Sequence, residues 1–187
     1  ESEIQENNIT NLVFSQDRVT RYIPMGALWD AKQYLTQKYT IYTILSAELT
    51  DMEDRLPPSP SETSVLAMGL ADSVLDFNPL PHVTSELDAV VKVDEADLKG
   101  IYPGVQLLND DFNQDKLTNN LFGHRIIHIA THGKFIASQP EASFLLLGDG
   151  QKFSISNINS LGTDLRDVHL VVLSACETAV GGPGADG

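Results

Sequence analysis

The chain of 187 residues sets 12 Lys and Arg against 26 Asp and Glu, a formal charge of −14 that argues against a phosphate-backbone partner, so no direct nucleic-acid binding is expected. With 42% hydrophobic residues it can bury a core without a disulfide or metal staple. No run approaches the ~18 apolar residues of a membrane span, the first residues ESEIQENNITNL lack the basic-then-apolar order of a secretion signal, and the single cysteine excludes an internal disulfide framework. A cytoplasmic protein with no membrane partner is the expectation.

In chain order, short β-branched or apolar runs alternate with helix-like segments, the pattern of an α/β fold with a mostly parallel sheet. Strands are predicted near Asn11 to Ser15, Tyr39 to Leu45, Ser64 to Met68, Val105 to Leu108, Arg125 to Ala130, Ser143 to Leu147 and Val168 to Ser174. A first helix is predicted from Ser46 to about Arg55, where PPSPS makes helix impossible. A second opens at Thr84 or Ser85, with Ser85 and Asp88 spaced as a capping box, and a third covers Phe112 to Leu121 with Asp110 or Asp111 as cap. A short helix is predicted over Ile155 to Leu161, ended by Gly162, and Gly148-Asp149-Gly150 reads as a hairpin turn. No internal repeat stands out, and the stretch Leu56 to Thr63 is too short to divide two domains, so one domain is expected. Glu1 is not an initiator methionine, and no element is predicted after the Gly181 to Gly187 run, so the sequence reads as a piece of a larger protein.

Three histidines, His124, His128 and His132, lie in GHRIIHIATHG. Spacing of four gathers side chains on one helix face, where they could share a metal ion, but on a strand it leaves them ~13 Å apart. The isoleucines and the flanking Gly123 and Gly133 favour a buried strand, so no metal or other cofactor is expected. His128, mid-strand among isoleucines, is expected to be a hydrogen-bonded core histidine. His132 differs, because it sits where the strand ends. A second apolar strand, VHLVVL, runs into Ser174-Ala175-Cys176. Ligands of parallel α/β sheets bind beyond the carboxyl ends of the strands. A lone cysteine after an apolar strand is most often a small buried residue. If the two strands are neighbours, however, His132 can take the Cys176 proton and favour the thiolate. The backbone N–H groups of Gly133 and Cys176 would then form an oxyanion hole, and the chemistry would be acyl transfer. The separation of His132 from Cys176 is also close to the ~50 residues between the caspase histidine and its downstream cysteine.

RIIHIATHGKF followed by VHLVVLSACETAVGG closely resembles the signature of the CHAT domain, a caspase-like and separase-like module attached to tetratricopeptide repeats. LVFSQDRVTRYIPMGALWDAKQYLTQKYTIYT resembles its opening strands, SVLAMGLAD and PLPHVTSELDAV its next strand and helix, and SFLLLGDGQKFSI its hairpin. The resemblance implies a caspase-like three-layer sandwich with a mostly parallel central sheet, the C-terminal part of the fold being absent from this chain. It further implies a cysteine endopeptidase with His132 as general base and Cys176 as nucleophile, acting on a protein or peptide substrate. Control by a tetratricopeptide-repeat region of the parent protein and low turnover of the isolated chain also follow from it. A silent binding or signalling module, or a histidine-metal hydrolase, are the alternative functions. Caspases place an arginine after the nucleophile, whereas here Glu177 follows Cys176, so cleavage after aspartate is not expected and basic or uncharged residues are favoured. Asp17, just past the first strand, and Glu177 are the candidate substrate-binding residues. Other carboxylates read as solvated surface.

Overall fold

The computed structural model describes residues 4, 7–44, 46, 53–136, 139–161 and 165–175. The described residues fall into two units, one up to Asp54 and one from Arg55 to Ala175. In the first, β1 (Asn11–Ser15) and β2 (Thr40–Ile44) pair in parallel, from Asn11 opposite Thr40 to Ser15 opposite Ile44. Between them lie a 3-10 turn, Arg18–Tyr22, and the short helix α1 (Leu35–Lys38). The helix expected from Ser46 to Arg55 falls largely outside the described residues.

The second unit is built on five parallel strands in the order β10-β6-β3-β5-β4, consistent with a caspase-like fold. These are β3 (Val65–Gly69), β4 (Val91–Lys92), β5 (Tyr102–Leu108), β6 (Ile126–Thr131) and β10 (Leu170–Ala175). Helices α2 (Val83–Val90) and α3 (Gln114–Asn120) link β3 to β4 and β5 to β6. After β6 the chain forms a three-stranded antiparallel sheet of β7 (Gly133–Lys134), β8 (Phe144–Leu146) and β9 (Lys152–Ser154), followed by α4 (Ile155–Ser160) and then β10. The expected turn joins β8 to β9. There the Leu147 N–H reaches the Gln151 carbonyl at 2.9 Å, and Gly150 takes a φ of 84° that a residue with a Cβ rarely adopts.

VLAMG and IIHIAT are buried along their whole length because both faces of a parallel sheet are covered. Strand alternation sends Val65, Ala67, Ile126 and Ala130 to one face, where they pack with Val83 and Leu87 of α2. Leu66, Met68, Ile127 and Ile129 go to the other face, packed with Phe112, Leu117 and the β8–β9 residues Leu145, Leu146 and Phe153. The chain leaves β3 toward β5 on one side and reaches β10 beyond β6 on the other, so the winding reverses between β3 and β6. Such a reversal opens a crevice at the carboxyl ends of the strands.

Two helix starts differ from the sequence reading. α2 begins at Val83 rather than at Thr84 or Ser85. Burial of Val83 at 5% exposure against the sheet extends the helix upstream. The Ser85 hydroxyl therefore donates to the His82 carbonyl at 2.8 Å instead of forming a box with Asp88. α3 is capped by Asn113, whose Oδ1 accepts from the Lys116 N–H at 3.0 Å. Asp110 and Asp111 instead belong to a 3-10 turn, Asn109–Asp111, that delivers the fully buried Phe112 to the core.

Gly69, at the end of β3, allows the start of α2 to close over the sheet. A Cβ there would collide with Val83 Cγ1 and stand 3.2 Å from Leu87 Cδ2. Gly69→Ala is expected to destabilise the chain by ~1–3 kcal/mol, as overpacking does, measured as a lowered midpoint of urea unfolding.

Candidate active site

β10 and β6 run side by side in register, from Leu170 opposite Ile126 to Ala175 opposite Thr131. The two strands expected to carry the dyad are therefore neighbours, and both end at the same edge of the sheet. His132 follows the last residue of β6. Cys176 and Glu177, which follow β10, lie outside the described residues.

His132 is held on three sides. Its carbonyl accepts the Leu146 N–H at 2.8 Å, and the preceding Thr131, buried at 1% exposure, donates its hydroxyl to the Leu146 carbonyl at 2.6 Å. Its ring lies 5.1 Å from the Phe77 ring, which in turn meets Phe144 edge-on at 6.4 Å. Nε2 is 2.8 Å from the backbone carbonyl of Asn78. A carbonyl only accepts, so Nε2 carries the proton in this bond, and in the neutral imidazole Nδ1 then holds the lone pair. The ring is thus fixed in orientation and tautomer with one basic nitrogen left over, the arrangement a general base requires.

The segment presenting Asn78 is itself secured. The Phe77 N–H reaches the Val74 carbonyl at 3.0 Å, and the Leu80 N–H reaches the Ala71 carbonyl at 2.8 Å. Asn109 Oδ1 accepts from Ala71 N–H at 2.8 Å and from Asp72 N–H at 3.1 Å. Composition and spacing gave no sign of Asn78, because it acts through its main chain, which every residue type carries.

Gly133 opens β7 opposite Leu145 of β8. Since Leu146 donates to the His132 carbonyl, the pair formed by His132 and Leu146 is the hydrogen-bonded one. In an antiparallel ladder the next pair is not, and its N–H groups point outward. The Gly133 N–H is therefore turned away from β8, as an oxyanion donor must be.

His128 is the core histidine the sequence leads one to expect. It is 8% exposed, and its Nε2–H donates to Glu86 Oε1 of α2 at 2.9 Å. His124 lies in the turn before β6, where Nδ1–H donates to the Asn120 carbonyl at 2.6 Å. The three histidines thus go to three separate partners. Among the described residues no group of three or more His, Cys, Asp or Glu is placed to hold a metal ion. Nor is any helix among them long and apolar enough to cross a membrane. Asp17 belongs to the first unit, where Oδ1 accepts the Arg18 N–H at 2.8 Å as cap of the 3-10 turn and lies 3.9 Å from Arg21 Nη2.

At the ends of β6 and β10 is a crevice of about 350 Å³. It is lined by Leu80, Pro81, His82, Val83 and Glu86 from the approach to α2 and its first turn, and by Thr131, Ser174 and Ala175 from the strand ends. Glu86 was not singled out in the sequence, where it is one of many carboxylates. Only the packing of α2 on the sheet brings it to this crevice.

No curated protein matches the chain. The family model for the CHAT domain matches residues 1–187, and the chain belongs to the CHAT domain family.

Proposed function

We propose that the chain is a cysteine endopeptidase in which Cys176 is the nucleophile and His132 the general base. The observation that carries this reading is the seating of His132 at the carboxyl edge of the sheet, with Nε2–H given to the Asn78 carbonyl and Nδ1 left basic. Chain connectivity adds to it. Cys176 is bonded to Ala175, whose strand partner Thr131 is bonded to His132. Only one residue step on each strand, ~3.8 Å between Cα atoms, separates either reacting residue from an in-register pair.

In this reading His132 Nδ1 takes the thiol proton, and the Cys176 thiolate attacks the carbonyl carbon of the scissile peptide. The developing oxyanion accepts from the N–H groups of Gly133 and Cys176. The imidazolium, still oriented by Asn78, returns its proton to the leaving amine. Water then attacks the thioester, giving up a proton to His132, and the carboxylate product leaves as the thiol is restored. A parent tetratricopeptide-repeat region fits as the regulator, and a protein or peptide as the substrate.

Cys176→Ala is expected to abolish both peptide hydrolysis and covalent capture of a peptidyl acyloxymethyl ketone, followed by intact-mass spectrometry. Capture that persists in this variant would defeat the reading. Because the Asn78 acceptor is main chain, Asn78→Ala is expected to reduce hydrolysis less than ~10-fold, far short of the 10²–10⁴-fold that general-base catalysis supplies. A loss as deep as that would mean that the side chain, not the carbonyl, does the positioning.

A further inference from the structure

We infer that the crevice beyond β6 and β10 receives a basic side chain, lysine or arginine, of the peptide substrate, with Glu86 as its counter-charge. The inference rests on the peptidase reading for which bond is cut, but the site itself is built from residues the structure describes. Thr131 and Ala175 line the crevice, and the residues that follow them are His132 and Cys176. On the peptidase reading, the side chain seated there is assigned to the residue whose carbonyl is attacked.

Leu80, Pro81 and Val83 give the crevice apolar walls that suit a methylene stem, while Glu86 supplies a carboxylate for a charged tip. The Glu86 side chain is 35% exposed, so its charge is partly withdrawn from water and acts more strongly than a surface carboxylate. Among the described residues no lysine or arginine is paired with it. Its described partner is His128 Nε2–H, and a carboxylate accepts about four hydrogen bonds, leaving capacity for an ammonium or guanidinium. The volume of about 350 Å³ accommodates a long side chain. The start of α2 also faces the crevice, and its dipole, roughly half a positive charge, would by itself attract an anion. Glu86 stands in that first turn with a full negative charge, which reverses the sign, and an acidic substrate side chain would meet a like charge.

Two measurements on the full chain test this independently of each other. In the first, benzamidine is titrated into the protein and followed by NMR shifts. Saturable binding is expected in the wild type, weakened ~10- to 100-fold in Glu86→Gln, the range for a hydrogen bond to a charged group. Glutamine keeps an oxygen for His128 Nε2–H, so the core contact survives. Binding that is absent, or unaffected by Glu86→Gln, overturns the proposal whether or not the protein is a peptidase. In the second, acyloxymethyl ketones that differ only in carrying lysine, leucine or aspartate next to the reactive group compete for Cys176. The ratio of lysine to leucine labelling cancels any change in thiol reactivity. It is expected to favour lysine at least ~10-fold and to collapse toward one in Glu86→Gln. His132-dependent labelling with no lysine preference would sink the pocket and leave the peptidase reading standing. Glu86-dependent benzamidine binding to a protein whose Cys176 is inert would do the reverse.

Discussion

Replacing His132 by alanine is expected to lower kcat/KM for peptide hydrolysis by ~10²–10⁴-fold, carried almost wholly by kcat. The ring does two jobs in the proposed reaction, receiving the thiol proton and returning it to the leaving amine. Its Nε2–H bond to Asn78 leaves only Nδ1 for both. Substrate should still bind, because the crevice is lined by residues other than His132. The expected signature is a kcat loss with KM nearly unchanged, read from initial rates. His128→Ala provides the contrast. Its ring is buried against Glu86, so its removal should show as lost stability before lost chemistry.

Phe112→Ala is expected to cost ~3–5 kcal/mol of stability, enough to unfold a marginal domain. Phe112 is fully buried in the larger core, beside Leu66, Met68, Ile127 and Ile129. Its carbonyl also accepts the Gly148 N–H at 2.7 Å, so the residue ties the β8–β9 hairpin to the sheet. The hairpin in turn clamps His132 through Leu146. Loss of this ring should therefore lower the urea midpoint sharply and loosen the histidine's seat even in the fraction that remains folded. A loss of unfolding free energy below about 1 kcal/mol would mean that the site collapses onto the cavity without strain.

The parallel core was legible because its signal is local: β3 reads as an unbroken apolar run, β6 as an isoleucine-rich one that holds His128, and Gly148-Asp149-Gly150 announced the hairpin. His132 was legible for the same reason, standing just past such a run and before a glycine. The two helix caps were misread because tertiary burial of Val83 and Phe112, not the capping residues, decides where those segments turn. Asn78 and Glu86 were not legible at all. One contributes a carbonyl common to every residue, and the other is distinguished from its fellow carboxylates only by where α2 lands on the sheet. The pairing of β1 with β2 as a separate two-stranded sheet was equally silent, since a short alternating strand does not name its partner.

The most direct test of the central claim is the rate at which iodoacetamide alkylates Cys176 at neutral pH, in the wild type and in His132→Ala, followed by mass spectrometry. This readout needs no substrate, no regulator and no turnover. A histidine-paired thiol holds more thiolate than a free one, whose pKa is ~8.5, while a merely structural thiol is inert. The account predicts wild-type labelling faster than that of free cysteine and loss of most of the excess in His132→Ala. Equally slow labelling of both proteins would contradict it.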